Sequence, residues 1–291
     1  MREPLKTPIS FEQQLSLLEK RGMTFVDRPH ACDLLSNINY YRFSGYYFHL
    51  QTHTGNFREP ISFESILAIY RFDESLRTFL SKYLGIIEIR FRTQISYTLA
   101  MNHGPYALYN SANFVNSAYH ASFLEKLDTA VKNNANALFV QHHQSKYGGF
   151  FPPWAAVEIL SFSDLSKLYS NMLYADKHIV AAHINCDIAF LSNWLHYLSI
   201  LRNYCAHYAR LYNVRFSHKI KLPDSVYSST PFATDRLFAG LYVLSHTLPS
   251  QSCREQFMAD LECFLSEYPN FDLSKLGFPP NWKKIFHLWL L

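Results

Sequence analysis

Hydrophobic residues recur every three or four positions along most of this 291-residue chain, the spacing of α-helices that bury one face. The longest such stretch begins at Ser62 and keeps its period for about forty residues, until Gly104 and Pro105 end it. Gly85 lies inside this stretch and marks a candidate bend. Glycine is scarce in the chain as a whole, with nine residues. The pattern therefore disfavours a sheet-rich protein and predicts an all-α fold.

Capping and helix-breaking residues divide the rest of the chain into further helices. Ser10 and Gln13 have the spacing of a capping box that opens a first helix, and Gly22 ends it. Asp27 is placed to cap a second helix through Leu35. The later predicted helices are Ala121–Lys146, Pro152–Leu160, Ser163 to about Tyr174, Asp187 to about Asn213, Thr234 to about Thr247 and Ser252–Glu267. Residues 214–230 are predicted to be an extended connection, and the tail is expected to dock its Trp and Leu residues on the core.

Composition places the chain among ordinary globular proteins, because 48% of its residues are apolar, enough for a large core. The five cysteines are scattered and lack any CxxC pair, which favours a reduced cytoplasmic protein. The N-terminus has no apolar core of a signal peptide, and no apolar run approaches 18 residues. We therefore expect neither secretion nor a membrane-spanning segment.

The segment LRNYCAHYARLYN, residues 201–213, carries the strongest chemical pattern. It places Arg202, Asn203, His207 and Arg210 on one predicted helix, with Asn203, His207 and Arg210 within about 60° of one another around its axis. A free imidazole titrates near pH 6.5 and can move a proton at neutral pH, an arginine fork can hold phosphoryl charge, and an asparagine can orient either group. These are the groups that metal-free cleavage of an RNA phosphodiester requires. The alternative is an ordinary packed helix.

Charge adds a second indication in the same region. Between Arg202 and Pro223 there is no acidic residue, whereas the basic side chains are Arg202, Arg210, Arg215, Lys219 and Lys221, with His207 and His218. Such a local excess suits a surface that binds the nucleic-acid backbone. The net charge of +4 is too small to decide the matter, and a solvated cationic helix end remains the alternative.

Three acidic or basic residues elsewhere are candidates to support this site. Glu88 and Arg92 stand at i, i+4, which is either a helix salt bridge or a pair that positions Arg202 or a phosphate. Glu158 lies among apolar residues, so we expect it to be partly buried beside a cation such as Arg202 or Arg92.

Two other clusters are given structural interpretations. The tyrosines of the run NYYRFSGYY can stack on unpaired bases or fill the core, and core is favoured; they are Tyr40, Tyr41, Tyr46 and Tyr47.

The histidine pairs His142–His143 and His178–His183 lack the spacing of a zinc site, so no metal site is predicted. Because no GxxxxGK or GxGxxG motif occurs, a nucleotide-binding or nucleotide-modifying enzyme lacks support as well.

Several segments together resemble the Abi-like family of bacterial abortive-infection proteins, of the AbiD and AbiF type. The matching segments, in their expected order over roughly residues 5–215, are FEQQLSLLEKRGM, NYYRFSGYYFHL, IYRFDESLRTFLSKYLGIIEIRFRTQISYTLA, PPWAAVEILSFSDLSKLY and LRNYCAHYARLYN. The resemblance implies a HEPN domain, a helical bundle whose Arg-x4-6-His motif forms a metal-independent ribonuclease site. Carried over by position, Arg202, Asn203 and His207 are the motif residues. No catalytic role transfers to the Tyr-Tyr-Arg region.

This resemblance sets the remaining expectations. Residues 1–60 would form an N-terminal helical region, 61–250 a HEPN-like helical domain with an inserted helical segment, and 251–291 a C-terminal helix and docking tail. The protein would be a cytoplasmic, homodimeric endoribonuclease without a cofactor, in which the ribose 2′-OH attacks its own phosphate to leave a 2′,3′-cyclic phosphate. RNA would be its substrate, and a small bound RNA a candidate regulator. The alternative is a catalytically silent HEPN protein that binds RNA or acts as a scaffold.

Overall fold

This computed structural model describes residue 5, residues 7–224, residue 226 and residues 232–287. α-Helices dominate this part of the chain and its only sheet has two strands, which confirms the predicted all-α fold. The strands are β1 (Met23–Thr24) and β2 (Ile61–Ser62). The helices are α1 (Phe11–Lys20), α2 (Arg28–Asn37), α3 (Tyr40–Ser44), α4 (Phe63–His103), α5 (Ser117–Asn133), α6 (Leu138–Lys146), α7 (Pro153–Ala156), α8 (Phe162–Asn171), α9 (Tyr174–Ile184), α10 (Ile188–Ala206), α11 (Leu237–Thr247), α12 (Gln251–Ser266) and α13 (Trp282–His287). None of the described helices is both long and apolar enough to cross a membrane.

The chain divides into two compact units. The described residues up to Arg77 form the first, together with Arg210–Tyr212, and the described residues of Thr78–Ala209 and of the segment from Asn213 onward form the second. In the first unit the Ser10 capping box and the Asp27 cap open α1 and α2, as predicted. β1 and β2 pair in parallel, with Met23 opposite Ile61.

The tyrosine run contributes both core and surface in the first unit. Tyr46 and Tyr47 are each 1% exposed, and Phe43 lies between Tyr47 and Phe63 in a chain of ring contacts. Tyr41, in contrast, is 86% exposed. The core interpretation is therefore confirmed for Tyr46 and Tyr47 and wrong for Tyr41.

Asp73 of α4 is the polar centre of the first unit. Its carboxylate is fully buried and accepts hydrogen bonds from the Tyr46 hydroxyl at 2.7 Å, from the Tyr212 amide at 2.7 Å and from the Leu211 amide at 3.1 Å. The guanidinium of Arg77, one turn later on the same helix, pairs with it. A buried carboxylate is tolerated when its lone pairs are filled in this way. Asp73 thereby holds the segment Arg210–Tyr212 within this unit.

The second unit packs helices on the apolar faces of α4 and α10. Arg90 of α4 donates to the carbonyls of Thr247 and Leu248 at 2.7 and 2.9 Å and to that of His183 at 2.7 Å, so it satisfies the ends of α11 and α9. α10 and α11 approach closely at Gly240, where a Cβ atom would lie 2.5 Å from the Tyr197 ring. Only glycine allows this approach.

Several predicted helix limits need correction in the second unit. The predicted Ala121–Lys146 helix is interrupted after Asn133, because asparagines there bond locally: the Asn134 side chain donates to the Ala130 carbonyl at 2.8 Å. α8 begins at Phe162, one residue before the predicted start, and its cap is Ser161, with Asp164 completing the capping box. α9 was not predicted. Residues 225 and 227–230 of the predicted connection, and residues 288–291 of the docking tail, lie outside the described residues.

Candidate active site

The helix α10 places the sequence motif, and its own apolar stripe fixes which face remains available. The helix starts near Asp187, as the sequence predicts, and the Asp187 carboxylate caps it by accepting from the Ala189 amide at 2.8 Å. The buried side chains recur at helical spacing and are Leu191, Leu195, Leu198, Leu201 and Cys205. This stripe packs against α8 and α11, which leaves the polar motif positions at the margin of the buried face.

α10 ends at Ala206, seven residues before the predicted limit. His207 is its C-cap, and Tyr208 follows in the left-handed conformation with a φ of 55°. The Tyr208 amide donates to the Cys205 carbonyl and the Ala209 amide donates to the Tyr204 carbonyl at 2.8 Å, the bond pattern of a Schellman motif. The sequence concealed this end because glycine or asparagine usually occupies the left-handed position. The prediction that Arg210 shares a helix face with His207 is therefore wrong.

A buried carboxylate organises the motif arginine. Glu88 of α4 is 7% exposed and accepts from Arg202 Nε through Oε2 at 3.0 Å and from Arg92 Nη2 through Oε1 at 2.6 Å. Arg92 Nη2 also donates to the Leu160 carbonyl at 2.9 Å. The three side chains carry a net charge of +1. Glu88 thus fixes both guanidinium groups and neutralises only one of them.

The end of the Arg202 fork is unused. Its side chain is 36% exposed, and within the described residues only Nε donates a hydrogen bond. Nη1 and Nη2 form the edge of a guanidinium that suits a phosphate or carboxylate with two parallel bonds. The geometry therefore fixes Arg202 through Nε and leaves the Nη1 and Nη2 edge of its guanidinium partly exposed.

Asn203 and His207 lie on another side of the same helix end. Asn203 Nδ2 donates to Ser163 Oγ of α8 at 3.1 Å, and its carbonyl accepts from the His207 amide at 2.9 Å. The His207 side chain is exposed, and no described residue hydrogen-bonds its ring. Its imidazole is thus available to a ligand, as acid–base chemistry requires.

Of the predicted supporting residues, Glu158 takes a different environment from the one expected. Its side chain is 60% exposed, and its carboxylate stands 4.0 Å from Arg92 Nη1. The expected partner is confirmed, but the expected burial is wrong, because α7 ends at Ala156 and the following turn directs Glu158 outward.

The predicted basic surface is less uniform than its sequence. Arg215 pairs with Asp235 at 2.8 Å, so a carboxylate from later in the chain neutralises it. Lys219 and Lys221 are exposed, and no described carboxylate pairs with either ammonium. The backbone at both residues bonds the Asn193 side chain, which ties this segment to α10. Arg210 is half-buried and belongs to the first unit.

Sequence reasoning missed Ser163 as the partner of Asn203 and treated it only as a helix cap. A signal existed, because Ser163 stands in the first turn of a helix whose actual cap is Ser161. Its hydroxyl is therefore not needed for capping and is free to bond another element.

Among the described residues, no group of three or more His, Cys, Asp or Glu side chains is placed to hold a metal ion. A sequence profile of the family described as "Abi-like protein" matches residues 33–213, which is more than half of the chain. No curated protein and no solved structure matches the chain. The matched range contains Glu88, Arg92, Arg202, Asn203 and His207.

Proposed function

Because the chain belongs to the Abi-like protein family, whose name points to abortive infection, we propose that it is a metal-independent endoribonuclease of the HEPN type. The observation that carries the proposal is the combination at the end of α10: an anion-binding edge on Arg202, fixed by buried Glu88, with an exposed imidazole on His207. Both groups needed for phosphodiester cleavage are therefore present on one helix end.

In the proposed reaction the ribose 2′-OH attacks its own 3′-phosphate. The O2′–P bond forms and the P–O5′ bond breaks, which leaves a 2′,3′-cyclic phosphate and a free 5′-OH. Arg202 Nη1 and Nη2 hold the phosphoryl oxygens as negative charge builds on them. His207 transfers a proton, either from the 2′-OH or to the departing O5′. Asn203, bonded to Ser163, holds the helix end against α8.

Full acid–base catalysis uses two proton-transfer groups, and one chain supplies one motif histidine. We therefore propose a two-fold dimer in which His207 and Arg202 of both protomers share a cleft. Cleavage measured across a dilution series, beside sedimentation at the same concentrations, tests this. Full activity in a strictly monomeric protein would exclude the dimer as the catalytic unit.

The central experiment compares cleavage of a labelled RNA by the wild type, His207→Ala and Arg202→Ala. We expect each variant to lose about 10²-fold or more, because each removes a proton-transfer or charge-stabilising group. His178→Ala is the matched control, since His178 is also an exposed helix histidine of the second unit. The products should carry 2′,3′-cyclic phosphate and 5′-OH ends, and EDTA should not alter the rate.

Two results would contradict the proposal. Loss of cleavage in EDTA would reject metal independence. RNA binding without cleavage by the wild type, under conditions where the protein is dimeric, would identify a silent RNA-binding member. Control by a small RNA is part of the proposal, supported by exposed Lys219 and Lys221, and sequencing of RNA that co-purifies with the native protein tests it.

A further inference from the structure

A cavity of about 450 Å³ opens between α5, α8 and α10 in the second unit. Its apolar wall contains Phe114 and Phe123, which are 6% and 9% exposed, and Tyr119 stands at its rim, 69% exposed. The lysines and histidines that line it are Lys126, Lys167, His196 and the buried His120. This size and this mixture of aromatic wall and few polar groups are typical of ligand sites.

The lining favours a flat ring attached to an anion. Aromatic side chains stack on any nucleobase, and lysine groups at the mouth attract phosphate. One acidic residue, Asp164, also lines the cavity. Its carboxylate is engaged at the start of α8, where it accepts from the Ser161 hydroxyl at 2.6 Å. The remaining charge at the mouth is positive.

The cavity shares its two main helices with the candidate active site. α8 supplies Lys167 to the cavity and Ser163, one turn earlier, to Asn203. α10 supplies His196 to the cavity, and Asn203 lies seven residues later, on the same helix face. Seven residues of helix rise about 10 Å, and a stacked strand advances about 3.4 Å per nucleotide. The cavity and Asn203 are therefore about three nucleotides apart along a bound strand.

We propose that this cavity is a subsite for one unpaired nucleotide of the RNA strand, about three positions from the nucleotide beside Asn203 at the end of α10. The inference rests on the proposed function for its substrate class. Tyr119 and the apolar wall stack on the base, and Lys126 and Lys167 hold its phosphates. Burial first, and then the nearby His218 and Lys167, lower the pKa of His196, so its imidazole favours the neutral form. The positive charge of the lining therefore comes from Lys126 and Lys167.

Binding of a hexaribonucleotide with 2′-O-methyl riboses tests the subsite separately from cleavage, because the methyl group blocks the attacking hydroxyl. We expect Tyr119→Ala to weaken binding by about tenfold, the usual effect of losing one stacked base. Tyr174→Ala is its control, since Tyr174 is 67% exposed and lies outside the cavity. Fluorescence anisotropy at fixed salt measures both, and circular dichroism checks that each variant folds.

A second pair of variants tests the charge. We expect Lys126→Gln with Lys167→Gln to weaken binding about tenfold and to reduce the slope of log Kd against log salt by about two, one for each lost phosphate contact. Lys132→Gln with Lys146→Gln is the control, because these lysines are also exposed on helices of the second unit. The control should change Kd by less than about twofold.

The outcomes separate the subsite from the nuclease. If both cavity variants bind the oligonucleotide as tightly as their controls, the subsite is rejected. Free uridine or adenosine monophosphate is added as a probe, with NMR of His196 as the readout. If it shifts the His196 resonances while Tyr119→Ala leaves the Kd of the oligonucleotide unchanged, the cavity binds a free nucleotide and the RNA subsite is rejected. If the wild type does not cleave RNA but the cavity variants bind weakly, the subsite stands and the nuclease proposal fails. If His207→Ala cleaves like the wild type, the assignment of His207 as the catalytic histidine fails and the subsite is unaffected.

Discussion

Two buried carboxylates on the same helix, Asp73 and Glu88, show how similar environments can serve different purposes. Both are buried, both pair with an arginine one turn later, and both receive a partner from the region around the motif. Asp73 receives the amides of Leu211 and Tyr212, and the Tyr46 hydroxyl fills the remaining space. This centre is closed in the sense that the hydrogen bonds described for the Asp73 carboxylate all come from residues of the first unit.

The Glu88 centre, in contrast, is open at one edge. Arg202 gives Glu88 only its Nε, and the other two nitrogens of the fork have no donor role within the described residues. A closed polar centre stabilises the fold, whereas an open one keeps a charged group in place for a ligand. Burial of a carboxylate therefore does not reveal its role. The hydrogen-bond donors that its partners leave unused are the better guide.

The largest expected effect is at the closed centre. Asp73→Ala leaves Arg77 buried without its counter-charge and removes the acceptor for two amides, so we expect a loss of about 3–5 kcal/mol in the free energy of unfolding. Urea denaturation followed by circular dichroism measures this loss. A cost below about 1 kcal/mol would show that the centre is not closed in solution.

Protonation of His246 is expected to have a slightly smaller effect on stability. Burial, with a contribution from Arg254, lowers the pKa of His246 from 6.5 to about 4. Between these values the unfolded chain binds more protons, so the free energy of unfolding is fully retained above pH 6.5 and falls as the pH drops toward 4. The expected loss reaches about 3 kcal/mol.

Denaturation of the wild type and of His246→Phe at several pH values isolates this effect. Phenylalanine keeps a ring beside Tyr242, which stacks on His246 at 5.0 Å, and does not titrate. The variant should lose less stability than the wild type below pH 6.5. Parallel loss in the two proteins would assign acid sensitivity to other groups.

The sequence predicted the elements of the fold better than the geometry of the site. Helical periodicity located α4 correctly from Phe63 to His103, and the capping residues Ser10 and Asp27 act as predicted, because these signals are local. The end of α10 at Ala206 was missed because its left-handed residue is Tyr208.

Tertiary partners were less predictable for a physical reason. The Glu88–Arg92 pair is visible in the sequence as an i, i+4 spacing, but its contact with Arg202 joins positions 114 residues apart. Nor does any local pattern show that Asp235 neutralises Arg215. The sequence could name Arg202 and Glu88 as candidates. Only the structure shows that they bond each other and that Nη1 and Nη2 of Arg202 are left partly exposed.

Glu88→Gln tests the open centre, and we expect its effect on stability to lie between those of Asp73→Ala and Glu158→Gln. The amide keeps the shape but removes the counter-charge of two guanidinium groups, so we expect a loss of about 1–2 kcal/mol in unfolding free energy. Cleavage should fall about tenfold or more, because Arg202 is no longer held in place. A stability loss as large as that of Asp73→Ala, with unchanged activity of the folded protein, would make Glu88 a structural residue only.

Glu158→Gln should have the smallest effect and is the control for Glu88→Gln. Both substitutions remove one negative charge beside Arg92, but the Glu158 side chain is 60% exposed and stands at 4.0 Å, whereas Glu88 is buried and bonds at 2.6 Å. Solvent screens the exposed pair, so we expect less than about 0.5 kcal/mol and a rate within about twofold of the wild type. If the two variants lost activity equally, general electrostatic attraction of RNA would explain the effect of Glu88, and the fixed Arg202 edge would lose its special role.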